Sequence, residues 1–300
     1  MEFAKFEFAL KTQNSFGLPD FKGSTFRGKF GHVLKRTICI MSHHKCDECE
    51  LREKCAYTYL YETRNERKEN VARPFVLEPP LTHQQFFLKD KYLYLNLVLI
   101  GGAIEYLPYF VYAFTQMGKE GIGQDRGKFL LTTVRAVDSA GQKHEIFDHK
   151  TQQLLTEVPR IKPDDFKAVF HPQITVQFLT PTDLRANGKR VDTVEFPVLL
   201  RAILRRYRSL QYYHNGGEKE WFEINWEAAE KIKIVHRETE NRRLKRYSNR
   251  QKRPIPLGGI TGKITYRGNL APFIPWLKIG EYLHVGKGAV FGMGWYRMVG

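Results

Sequence analysis

The sequence predicts an α+β protein built from two ferredoxin-like halves, each running strand, helix, strand, strand, helix, strand. Three observations carry this. Segments with apolar residues at period two alternate with segments at helical spacing. A helix, a glycine-rich loop and a strand follow one another twice, with Gly121-Ile122-Gly123 in the first loop and Gly292-Met293-Gly294 in the second, which suggests a duplicated domain. A polar stretch of weak periodicity, Asp138 to Asp165, carries Pro159 and Pro163 and places the linker near its end. The expected domains are 1–160 and 161–300.

In the first half, Glu2 to Leu10 alternates and reads as a strand. Gly23 to Ile40 places Phe26, Phe30, Val33, Leu34, Thr37 and Ile38 on one side of a helix, with Arg27, Lys29, His32, Lys35 and Arg36 on the others. Gly28 and Gly31 lower its helix propensity, so something is expected to pack closely on its first turns. Arg73 to Pro80 reads as extended, Lys91 to Ile100 as a strand, Ile104 to Met117 as a helix and Lys128 to Val137 as a strand. In the second half, Ala168 to Phe178 is a strand and Phe196 to Tyr213 a helix. Arg201, Arg205, Arg206 and Arg208 decorate the polar sides of that helix. Glu230 to Tyr247 and Gly258 to Tyr266 form a strand pair. A short helix from Pro272 to Leu283 and a strand at Trp295 to Met298 complete the pattern.

The formal net charge is +16 and the pI about 9.6. A chain this basic is most simply paired with a polyanion, nucleic acid above all. No apolar run approaches membrane-spanning length, and the N-terminus lacks the basic head and apolar centre of a signal peptide. A cytoplasmic protein with no membrane partner is expected.

All four cysteines fall in one array, Cys39, Cys46, Cys49 and Cys55, spaced C-x6-C-x2-C-x5-C. In a reducing compartment the clustering favours metal over disulfide. The thiolates suit a structural Zn2+ in a cysteine-rich insertion in the first half. A four-iron cluster takes the same ligands, and His43 or His44 could replace one thiolate.

Two basic elements accompany these. Gly286, Lys287, Gly288, Gly292 and Gly294 form a glycine-rich loop that could turn its N–H groups toward an anion, or could simply admit the last strand to its sheet. It is neither a Walker loop nor a dinucleotide fingerprint. Arg242, Arg243, Lys245, Arg246, Arg250, Lys252 and Arg253 form an acid-free run around Tyr247, placed between the two middle strands of the second half and suited to a sugar-phosphate backbone.

Taken in order, several words resemble a known family. They are Phe26-Arg27-Gly28-Lys29-Phe30-Gly31, the cysteine array, Arg73-Pro74-Phe75-Val76-Leu77-Glu78-Pro79-Pro80, and Gly121-Ile122-Gly123 with Arg126-Gly127-Lys128-Phe129. Phe178-Leu179-Thr180-Pro181-Thr182 with Leu184-Arg185 follows, then Leu283-His284-Val285-Gly286-Lys287-Gly288 with Phe291-Gly292-Met293-Gly294. The chain resembles the RAMP proteins of CRISPR systems, and within them the precursor-RNA processing endoribonucleases that carry a cysteine-rich insertion. The resemblance implies tandem ferredoxin-like (RAMP/RRM-like) domains and cleavage of precursor CRISPR RNA within its repeats, with no cofactor for the chemistry. The 2′-hydroxyl upstream of the scissile phosphate attacks, leaving 2′,3′-cyclic phosphate and 5′-hydroxyl ends.

The resemblance also implies an active site on the first helix or the loop after it. That makes His32, His43 and His44 candidate acid–base groups, with Lys35 or Lys45 stabilising charge, and His284 beside the glycine loop a further candidate. RNA contacts are expected from the glycine loop, from Arg27 and from the basic run. Partners would be the repeat RNA and subunits of a CRISPR effector complex. Two other readings share these features: a non-catalytic RAMP subunit holding guide RNA in such a complex, and an unrelated zinc-containing nucleic-acid-binding protein.

Overall fold

The alternating N-terminal segment forms β1 (Phe3–Thr12), which buries Phe6, Phe8 and Leu10 on one face and turns Lys5, Glu7 and Lys11 to the other. The structure is a computed structural model that describes residues 1–41, 45–63, 71–217, 222–248 and 253–299; of 245–248 and 254 it describes the backbone only. It divides into two compact units, Met1–Ile161 with Ser209–Glu218, and Lys162–Arg208 with Lys219–Gly300.

The first unit continues with α1 (Gly23–Ile38), β2 (Phe75–Glu78), β3 (Tyr92–Ile100), α2 (Leu107–Glu120) and β4 (Phe129–Val137). Its antiparallel sheet has the order β2-β3-β1-β4-β5, where β5 (Lys143–Asp148) is an added edge strand. The helices cover one face: Phe30 of α1 stacks on Phe110 of α2 at 4.8 Å and meets Phe75 edge-on at 5.7 Å, while Phe114 reaches Phe8 at 4.9 Å. Rings of this size in offset and edge contact supply much of the buried area of a small core.

The polar stretch after β4 is therefore more ordered than its weak periodicity implies. It contributes β5, and Ile161 bridges back to Phe3 at the start of β1. Edge-strand residues such as Lys143, His144 and Glu145 are exposed, so no apolar alternation marks them in the sequence.

The second unit holds β6 (Gln173–Thr182), the greater part of α3 (Phe196–His214), β7 (Lys233–Ser248), β8 (Arg253–Arg267), α4 (Ile274–Leu283) and β9 (Tyr296–Val299). The sheet order is β7-β8-β6-β9, all antiparallel. Counting only the four strands common to both halves, each sheet runs second, third, first, fourth, so the tandem ferredoxin-like plan is present twice. The core gathers Phe196, Leu199, Leu200 and Ile203 of α3 against Val176, Phe178 and Ile264 of the sheet and Leu277 of α4. Tyr266 packs edge-on to Phe196 and donates its hydroxyl to Val194 O at 2.7 Å.

Candidate nucleic-acid interface

The glycine loop leaves α4 through His284, whose φ of 61° is unusual for a residue with a side chain. Gly286, Gly288, Gly292 and Gly294 all have φ between 71° and 82°. Two of them are also sterically required. A Cβ on Gly294 would lie 1.7 Å from Val285 O, and one on Gly286 2.4 Å from Asp183 O. Val285 N donates to Gly294 O at 3.0 Å, Lys287 N to Asp183 O at 3.2 Å and Gly294 N to Pro181 O at 3.1 Å, which closes the loop on itself and ties it to the end of β6. Thr180 completes the tie: its hydroxyl donates to Gly292 O at 2.7 Å and accepts from Trp295 N at 3.0 Å.

Beside this loop lies an open cleft of about 330 Å³ lined by Asp183, Arg185, Asn187, Gly188, Arg205, Gly286 and Lys287. Three cations against one carboxylate make it attractive to a phosphodiester. Arg185 belongs to a tight hairpin, Arg185–Ala186 paired with Lys189–Arg190. Asn187 and Gly188 at its turn have φ of 49° and 75°, the conformation a two-residue hairpin turn demands. Sequence reasoning passes over this hairpin, although Asn-Gly between short polar runs signals it. It places Arg205 only on a helix's polar side.

Two expectations are corrected in the same unit. His284 is fully buried; its Nδ1 lies 3.1 Å from Met293 O and its ring stacks on Trp295, with centroids 5.7 Å and planes 13° apart. It braces the loop from inside, out of reach of a substrate. Arg206 does not decorate the outside of α3. It is half-buried and donates its Nε to Leu283 O at 2.5 Å at the end of α4, and burial of the guanidinium lowers its pKa to about 10.

The acid-free basic run is not a loop for most of its length. Arg242, Arg243, Lys245 and Arg246 continue β7, paired with Gly259, Gly258, Pro256 and Ile255 of β8. β8 meets β6 only from Ile260 onward, so these residues form a two-stranded ribbon that runs past the sheet. Arg243 is exposed and Arg242 half-buried; the side chains of Lys245 and Arg246, and Arg250 and Lys252 altogether, lie outside the described residues. Asn241 donates to Asp192 Oδ1 at 2.9 Å, anchoring the base of the ribbon.

In the first unit, α1 presents different chemistry on different faces. Arg27 stacks over the ring of Tyr61 at 3.8 Å, and Tyr61 donates its hydroxyl to Arg27 O at 3.2 Å. Arg73 donates to Tyr61 O at 2.6 Å; burial, with Arg27 beside it, lowers its pKa. Lys35 lies 5.9 Å over the Tyr57 ring. His32 is exposed, one turn from Gly28 and one turn from Arg36. Nothing lies within 4 Å of where a Cβ on Gly28 would be. Lys29 and Arg36 both bind the Glu120 carboxylate of α2, Lys29 at 2.8 Å. Partial burial disfavours that charge, but the two cations more than offset it and hold the Glu120 carboxyl below the usual range. His43 and His44 lie outside the described residues.

The four cysteines are half-buried and unbonded to one another. Burial raises the Cys46 thiol's pKa; Lys35 opposes this, and Cys39 and Cys55 reinforce it. Among the described residues, no three His, Cys, Asp or Glu side chains are gathered closely enough to hold a metal ion. No helix among the described residues is long and apolar enough to cross a membrane.

Known proteins share this architecture. A family model described as an N-terminal domain matches residues 1–159. The model of the CRISPR-associated endoribonuclease Cas6 matches residues 176–296. An uncharacterized protein of Archaeoglobus fulgidus is 27% identical over 298 residues, covering 94% of this chain and 92% of that one. Among solved structures, a Cas6 product complex superposes with a TM-score of 0.58 at 16% identity, covering 100% of both chains. Thermus thermophilus Cas6 gives 0.56 at 16%, covering 99% of this chain and 98% of that one. A RAMP protein binding different RNA substrates gives 0.53 at 11%, covering 99% and 100%.

Proposed function

We propose that the chain is a member of the CRISPR-associated endoribonuclease Cas6 family, whose model matches residues 176–296, and that it binds the repeat of a precursor CRISPR RNA and cuts it once. One observation carries the reading. The Cas6-matched segment ends in a rigid left-handed glycine loop, and that loop shares its cleft with Arg185, Arg205 and Lys287. Three cations around one opening suit a phosphate, and the basic ribbon of β7 and β8 adds further positive charge for a longer polyanion.

In the proposed reaction a base takes the proton of the 2′-hydroxyl upstream of the scissile phosphate. The 2′ oxygen forms a bond to phosphorus, the bond to the 5′ oxygen breaks, and an acid returns a proton to that oxygen. His32 on the open face of α1 is the proposed acid–base group, and a cation of the same helix, Lys35 first, would offset charge on the phosphorane. The steps need no metal ion. Purified protein incubated with repeat RNA in EDTA tests this: cleavage should persist, and should vanish when the 2′-hydroxyl before the cut is replaced by hydrogen. Dependence on added divalent metal would reject the mechanism.

A second reading follows from His284. With that ring buried inside the loop and His43 and His44 outside the described residues, His32 is the one candidate histidine left for acid–base chemistry among the described residues. A RAMP subunit that only holds guide RNA in an effector complex needs the loop and ribbon but no such histidine. Intact repeat RNA under saturating protein would favour it. A preference for generic duplex DNA over repeat RNA would favour an unrelated zinc-containing binding protein instead.

The cysteine module is proposed as a structural zinc site held by Cys39, Cys46, Cys49 and Cys55, whose thiols would have to draw closer together than they lie in this structure to bind the ion. Four soft thiol donors suit that ion in kind, and with four protein ligands no coordination position would remain for chemistry. Elemental analysis should return about one zinc per chain from colourless protein; a brown preparation would assign an iron–sulfur cluster.

A further inference from the structure

We propose that the outer end of the first unit's sheet is a second RNA-contact surface, a stacking platform for unpaired bases built on Tyr92 and Tyr94. The proposal rests on the RNA-processing reading above, and it adds a surface separate from the glycine loop and the ribbon.

β3 alternates sharply at its start. Leu93 and Leu95 are buried under the helices, while Tyr92 and Tyr94 point the other way and are 49% and 48% exposed. Their rings are stacked, with centroids 6.0 Å and planes 16° apart. On β1, Lys11 sits opposite Tyr92, and Ala9 opposite Tyr94 is too small to cover its ring. The platform's margin is fixed by backbone bonds. Thr12 N donates to Lys91 O at 2.8 Å, Asp90 N to Thr12 O at 2.9 Å, and the Thr12 hydroxyl donates to Leu88 O at 2.7 Å. Rings presented from a tied strand lose little freedom when a ligand settles on them.

Charge identifies the occupant. Elsewhere on this face Glu7 lies between Arg135 at 3.3 Å and Lys143 at 2.6 Å, and Glu78 binds Lys5 at 2.7 Å. At the tyrosine end Lys11, Lys89 and Lys91 face Asp90, which pairs with Lys11 across exposed surface at 3.2 Å. Lys89 and Lys91 are exposed and have no carboxylate partner among the described residues. A protein-docking patch would be depleted in lysine. Aromatic faces rimmed by lysines are how proteins hold single strands without reading sequence, because every base has a π-face. Bases inside a stem have their faces covered, so the ligand is an unpaired stretch of the transcript.

The test uses the full-length chain and a fluorescent oligoadenylate of about 12 nucleotides, within the usual site size of single-strand binders. The wild type should bind it. Tyr92→Thr with Tyr94→Thr keeps strand propensity, removes the rings and should weaken binding by about tenfold or more. Tyr92→Phe with Tyr94→Phe should retain it. Crosslinking of 4-thiouridine RNA to unmodified protein, which needs no variant to fold, should label the segment holding Tyr92 and Tyr94. Unchanged affinity in the threonine variant, or adducts confined to other segments, overturns the proposal. So does a dimer of the wild type that the threonine variant abolishes, since the face would then belong to a second copy. Binding of repeat RNA but not oligoadenylate defeats the platform alone, whereas failure to bind either RNA defeats the family-based reading beneath it.

Discussion

Gly31 seats the ring of Tyr61 directly against the backbone of α1: a Cβ on that glycine would lie 1.8 Å from Tyr61 Cζ. The ring so placed carries Arg27 on its face, and the Tyr61 carbonyl holds Arg73. Gly31→Ala should therefore destabilise the protein by about 2–3 kcal/mol through overpacking. Gly28, one turn earlier on the open side, should behave oppositely: Gly28→Ala gains about 0.5–1 kcal/mol of helix propensity. Denaturant melts of the two variants check the pair, and equal losses in both would remove the distinction between the faces.

The two described candidate histidines should separate cleanly. His32→Ala should lower single-turnover cleavage by about 100-fold or more while leaving repeat-RNA affinity and the melting temperature near wild type. His284→Ala removes a buried stacked ring and should cost about 1–3 kcal/mol of stability. RNA affinity should fall with it as the loop loosens, and the shape of the pH–rate profile should stay the same. A changed profile in the His284 variant would return that residue to the chemistry.

Glu120 gives a pH dependence with a defined sign. Its carboxyl is held below the usual range by Lys29 and Arg36. A depressed carboxyl contributes stability that is present above its unfolded pKa and lost as pH falls through the folded one. Glu120→Gln should therefore be less stable than wild type at pH 7. The difference should shrink from about pH 4.3 downward. Thermal melts across that range measure it; a gap that widens on acidification would contradict the assigned ion pair.

Lys287 lines the cleft beside the glycine loop. If it meets a phosphate, Lys287→Ala should weaken RNA binding. The slope of log K against log salt should become shallower by about 0.7 for each phosphate of a single strand that is no longer neutralised. Binding isotherms at several salt concentrations give the slope, and an unaltered slope would place Lys287 away from the RNA backbone.

Much of the architecture was legible because burial writes periodicity. The alternation of β1 and the spacing of Phe196, Leu199, Leu200 and Ile203 each name their element. What the sequence hid depends on partners far away in the chain. Arg206 sits among other arginines and looks like surface, but the carbonyl it meets is Leu283. His284 adjoins a glycine loop, yet adjacency says nothing about where a backbone with φ of 61° sends the side chain. Gly28 and Gly31 are equivalent in helix propensity; only the position of Tyr61 tells them apart.

The start of the β7–β8 ribbon is set by glycines. A Cβ on Gly259 would meet the backbone of Thr182 at 2.3 Å, and one on Gly258 would meet Arg242 O at 2.4 Å. Main chain therefore fixes where the ribbon departs from the sheet. The point of departure is thus held by backbone against backbone, so the side chains farther along the ribbon can vary in sequence while the direction in which it leaves the sheet is kept.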